Sequence, residues 1–129
     1  MDFTNLDTVE GSNEGAVLYV RHPLTDETTD AWLKLAGPDS AIAKQRRAEI
    51  RRVFKNNRSH DLDLDALERE ALETRVAVTL GWGGIEIDGE PIEHSNENAR
   101  RVFTQYPWLS EQVDAFQGDR RNFMKANSE

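Results

Sequence analysis

The sequence predicts an α+β fold, mainly helical: an N-terminal β-hairpin, then about four helices, with a glycine- and tryptophan-containing connector between the second and third. Three observations predict it. Residues 16–20 are a β-favouring run, and residues 31–35 alternate in polarity. Apolar residues between 39 and 80 recur at spacings of three and four. Ser95 and Pro107 each head a further apolar-periodic segment, where helix-start residues belong.

The hairpin comes first. In residues 31–35, Ala31, Leu33 and Leu35 fall on one side and Trp32 and Lys34 on the other, the period of a half-buried strand. The loop around Pro23 and Asp26 is too long for a two-residue turn. An antiparallel pair is still expected, because two lone strands would leave their backbone groups unpaired. Gly37-Pro38-Asp39 then stops the strand and starts a helix over about 39–56, since Pro and Asp both suit a first turn. Ile42, Ile50, Val53 and Phe54 lie on one side of it, beside a stripe of Lys44, Arg47, Arg51, Lys55 and Arg58. Asn56-Asn57 is its expected end.

The next helix starts at Asp61 to Asp65, with acids in the first turn where the helix dipole favours them, and runs to about Leu80. It carries two apolar stripes, one of Leu64, Leu67, Ala71 and Val78, the other of Leu72, Val76 and Leu80. Both stripes cannot be hidden by a single neighbour, so the helix is either central or leaves one stripe to a partner. Gly81-Trp82-Gly83-Gly84 is expected to break it. Trp82 then either caps the core or forms an aromatic contact point. Residues 85–94 are expected as a turn-rich connector, in which Asp88-Gly89 suits a tight hairpin and Pro91 keeps any strand short. Ser95 N-caps a helix over about 96–106, and Pro107 opens another that Gly118 ends. Trp108 is expected in the core beside Leu109.

At 129 residues the chain fits one domain. Residues 1–14 are expected as a flexible acidic leader, 15–118 as the domain and 119–129 as a tail anchored only by Phe123 and Met124. There is no cysteine, so no disulfide, and no apolar run approaches the ~20 residues needed to span a bilayer. The acidic start lacks the features of a signal peptide. These features predict a soluble protein of a reducing compartment, with no membrane partner.

The net charge of −8 opposes a general phosphate-binding surface, so no nucleic acid is expected as a partner. Charge is nevertheless in blocks. Residues 44–58 hold seven bases and one acid, and residues 61–73 hold six acids and one base. Such blocks either neutralise each other as solvated faces or recognise partners. His22, His60 and His94 are isolated in predicted loops without metal-ligand spacing. Asp61-x-Asp63-x-Asp65 opens like a calcium loop but has Ala66 and Leu72 where glycine and glutamate are required. No nucleophile elbow or phosphate-cradling loop is present. Carboxylate pairs such as Glu86 and Glu90 are the remaining route to catalysis. No cofactor, metal, small-molecule substrate or enzymatic activity is expected.

Gly81-Trp82-x-Gly84-Ile85, Asp88-Gly89-Glu90-Pro91-Ile92 and Ser95-x-Glu97-Asn98-Ala99 follow one another in an order that resembles the tail assembly chaperones of long-tailed, siphovirus-like bacteriophages. Pro107-Trp108-Leu109, Gln112-Val113 and Asp119-Arg120-x-Asn122-Phe123 continue the pattern. The N-terminal half agrees in layout, with a Pro-Leu-Thr-Asp-Glu loop at 23–27 and Leu35-Ala36-Gly37-Pro38-Asp39-Ser40 leading into a basic helix. The likeness covers about residues 15–125. It implies a non-enzymatic protein of the host bacterial cytoplasm that binds the tape-measure protein, keeps it soluble and helps recruit tail-tube subunits. It also implies possible self-association and a longer frameshifted form. The alternative is a structural phage protein retained in the virion, such as a head–tail connector or tail-completion subunit. On the chaperone reading, the expected partner-binding residues are Leu72, Val76, Leu80 and Trp82 on the apolar side and Lys44, Arg47, Arg51 and Lys55 on the basic side.

Overall fold

A computed structural model describes residues 1–56 and 64–124. The expected hairpin is present as β1 (Ala16–Arg21) and β2 (Thr28–Leu35), antiparallel, with Leu18 opposite Leu33 and Tyr19 opposite Trp32. The alternation sorts the faces as expected: Leu33 and Leu35 are fully buried, while Lys34 is exposed. A short helix, α1 (Val9–Glu14), precedes the hairpin. After it come α2 (Ala41–Asn56), α3 (Leu64–Val78), β3 (Thr79–Gly83), the two-residue strands β4 (Glu86–Ile87) and β5 (Glu90–Pro91), α4 (Asn96–Gln105), α5 (Pro107–Gln117) and a 3-10 helix, Arg120–Phe123. The mixed, mainly helical fold therefore stands in outline.

Its main correction lies between residues 79 and 84. The helix stops at Val78 rather than Leu80, and Gly81-Trp82-Gly83 is a strand rather than a helix stop. β3 pairs antiparallel with β2, Leu33 opposite Trp82 and Trp32 opposite Gly83, and makes the hairpin a three-stranded sheet in the order β1-β2-β3. A short string in which glycines flank Trp82 has little strand preference of its own, so only the waiting edge of β2 reveals it. Asp88 and Gly89 both have positive φ, as the tight β4–β5 turn requires.

The ends also differ from a loose leader and tail. Gly11 and Ser12 of α1 are buried, and so is Phe123 in the 3-10 helix. A methyl at Gly11 would collide with the Phe123 carbonyl, and one at Gly37 would meet the Phe123 ring, so two bare backbones make the slot that holds it. Gly37 N–H donates to Ser12 O at 2.9 Å, and Ala41 N–H to Asn13 Oδ1 at 2.8 Å, so α1 satisfies backbone donors at the start of α2. Arg120 then grips Asp39 through Nε (2.8 Å) and Nη2 (3.0 Å). That grip, with a hydrogen bond from the Thr8 hydroxyl, holds the Asp39 carboxyl below its ordinary range.

The core lies between one sheet face and the helices. Val20, Leu33 and Leu35 meet Val76, Trp82, Ala99, Val102, Phe103, Leu109 and Val113 there. α3 is central, tied to its neighbours by arginine–carboxylate pairs. Arg46 of α2 reaches Glu70, Arg100 of α4 reaches Glu73, and Arg75 reaches Asp114 of α5. Ser95 N-caps α4 as expected, accepting from Asn98 N–H at 3.0 Å. Among the described residues, no helix is long and apolar enough to cross a membrane.

Candidate functional site

Two places combine exposure with distinctive chemistry, and the first is the α2–α3 arm. Arg46 Nη2 donates to Glu70 Oε2 at 2.6 Å, and Ala43 packs with Val78, so the two helices run antiparallel. Ala43 is the only residue of α2 with a described side chain that is fully buried. Ile42 (38 % exposed) and Val53 (45 %) remain open on α2, as do Leu64 (70 %) and Leu67 (38 %) on α3. Only the C-terminal half of α3 reaches the core.

This division corrects the apolar part of the expected site. Val76 and Trp82 are buried, and Leu72 packs on the main core. Leu80 leaves the helix, joins β3 and packs with Ala36, Ala43 and Val78. Trp82 Nε1–H donates to Ile92 O at 2.8 Å, which fixes it as a core residue rather than a contact point. The stripe expected to be free is covered by the core, and the stripe expected to be covered opens at Leu64 and Leu67. Helical periodicity identified both stripes, but α3 divides along its length and not around its circumference.

The basic residues of the expected site lie at the surface. Lys44, Arg47, Arg51 and Lys55 are all exposed. Arg47 Nη1 donates to Pro38 O at 2.8 Å, so its head is drawn toward the helix start. Lys44, Arg51 and Lys55 have no salt bridge among the described residues. Arg58, Asp61 and Asp63, and with them part of the acidic block and of the calcium-loop string, lie outside the described residues, as do His60 and Asn57.

The second place is a cleft of about 440 Å³ where the β1–β2 loop, the β3–β4 turn and the α4–α5 junction converge. Its floor is the buried Val20, Val102 and Leu109, and its walls are the half-buried Ala31, Ile85, Tyr106 and Trp108. Tyr106 and Trp108 meet edge to face, 6.2 Å apart. The exposed rim carries His22, Asp30 and Glu86. His22 Nδ1 accepts from Leu24 N–H at 3.1 Å, which occupies that nitrogen with the turn. Glu86 lines the cleft, but Glu90 does not, so the sequence pair does not converge there. Asp30 carried no sequence signal, because nothing local says that residue 30 stands beside residue 86.

His94 lies edge-on to Trp82, with ring centroids 5.0 Å apart and its buried Nε2 without a hydrogen-bond partner among the described residues. Among those residues, no group of three or more His, Cys, Asp or Glu side chains is arranged to hold a metal ion. Comparison with known protein families, with curated proteins and with solved structures finds no match.

Proposed function

We propose that this chain is a tail assembly chaperone of a long-tailed bacteriophage, a non-catalytic protein that holds the tape-measure protein soluble and helps bring tail-tube subunits to it in the host cytoplasm. The observation that carries the reading is the uncovered aliphatic seam of the arm. Ile42, Val53, Leu64 and Leu67 are exposed on two paired helices, and the cations Lys44, Arg51 and Lys55 are exposed on another side of α2. A long helical partner with exposed apolar stripes needs such a seam to cover it and such charge to keep the complex in solution. The order of sequence elements that resembles those chaperones supports the same reading.

The site moves accordingly, from Leu72, Val76, Leu80 and Trp82 to Leu64, Leu67, Val53 and Ile42, while the basic stripe stays. Co-expression with a phage tape-measure protein tests the reading: the partner is expected in the soluble fraction only when this chain is present. Mass spectrometry of purified virions separates the alternative. A chaperone is missing from the particle, whereas a connector or completion subunit is retained in it. A slippery heptamer near the codons for residues 123–128 would identify the longer form.

A further inference from the structure

We propose that the cleft between the β1–β2 loop, the β3–β4 turn and the α4–α5 junction receives an arginine side chain presented by a partner polypeptide. The assignment does not depend on the tail-assembly reading, because it rests on a different face and a different chemistry. The cleft's volume of about 440 Å³ lies in the range of pockets that enclose a small group. Depth sorts its lining: a buried aliphatic floor, two aromatic walls and a charged rim.

Charge selects the ligand. Asp30 and Glu86 are the carboxylates on the lining, and no lysine or arginine lines it. Neither carboxylate has a hydrogen bond or salt bridge among the described residues. Elsewhere Asp39, Glu70, Glu73 and Asp114 each hold an arginine of this chain. A phosphate or carboxylate ligand would meet repulsion here. A wholly apolar ligand would strip water from two carboxylates and give nothing back.

A long side chain with an apolar stem and a cationic head satisfies every layer. Laid across the mouth of the cleft, its methylenes cover the apolar lining and its head reaches Asp30 and Glu86 at the rim. Arginine is favoured over lysine because its flat guanidinium stacks on rings such as Tyr106 and Trp108 and donates in a fork to carboxylates.

The test is a titration of the full-length, ¹⁵N-labelled protein with the peptide acetyl-Leu-Arg-Leu-amide. Saturable shifts are expected at the amides of Ala31, Gly84 and Ile85 and at the Trp108 indole. The citrulline peptide, of the same shape without charge, is expected to bind at least about tenfold more weakly. Asp30→Asn with Glu86→Gln, at exposed positions that leave the spectrum of the free protein unchanged elsewhere, is expected to bring the arginine peptide down to the citrulline level. Equal binding of the two peptides overturns the assignment, as does full affinity in the double variant, shifts confined to other surfaces, or no saturation at millimolar peptide. Butylguanidine binding as tightly as the peptide overturns the polypeptide source and leaves a small-molecule site.

Discussion

Trp82 and His94 show how single residues fix the part of the chain that the sequence left open. The Trp82 indole fills the core and donates to Ile92 O at 2.8 Å, joining β3 to the segment after β5. Trp82→Phe keeps most of the ring but strands that carbonyl. It is expected to cost about 1–3 kcal/mol, measured by urea unfolding. His94 presents the opposite case, because its buried Nε2 has no partner among the described residues. His94→Phe preserves the edge-on contact with Trp82 and removes a desolvated nitrogen. Stability equal to or above that of the parent is expected in the same unfolding experiment, and a clear loss would show that the nitrogen has a role this contact does not express.

At the scale of elements, the ends of the chain form a clasp around the start of α2. Phe123 sits against Gly11 and Gly37, and Arg120 holds Asp39. The Asp39 carboxyl is pulled down mainly by its hydrogen bond from Arg120. A carboxyl whose folded value is lowered adds stability that is fully present above the unfolded value, about 3.9, and is lost as pH falls through the folded one. Acid below about pH 4 is therefore expected to loosen the clasp before the core opens. Hydrogen exchange at Gly37 and Ala41 should report it, and Asp39→Asn should abolish that acid step. The cap of α4 is a simpler test: Ser95→Ala is expected to cost about 1 kcal/mol in thermal or chemical unfolding.

For the whole molecule, α3 is a hub at one end and an arm at the other. Val76→Asp buries an unpaired charge in the core and is expected to unfold the protein, seen as loss of the cooperative transition by circular dichroism. Leu64→Asp with Leu67→Asp changes exposed positions, where surface substitutions usually shift stability by no more than about 0.5 kcal/mol each. The fold should survive, and solubilisation of the co-expressed partner should be lost. Survival of both fold and solubilisation would remove the seam from the partner-binding surface. Reversal of Arg47 and Arg51 to Glu is likewise expected to spare the fold and alter partner binding or self-association.

Local signals in the sequence determined the hairpin and its inward side, the position of α2, the capping of α4 by Ser95, the Pro107 start and Gly118 end of α5, and the exposure of Lys44, Arg47, Arg51 and Lys55. Each follows from a neighbour's spacing or from a residue that satisfies backbone groups a few positions away. Tertiary structure alone decided that Gly81-Trp82-Gly83 is a strand, that residues 9–14 and Phe123 close on each other, that Leu72 and Val76 are inside while Leu64 and Leu67 are not, and that Asp30 and Glu86 share a cleft. Those outcomes depend on which distant surface arrives to cover a residue. The edge of β2 and the backbone of Gly11 supply that surface from tens of residues away, beyond the reach of any local periodicity.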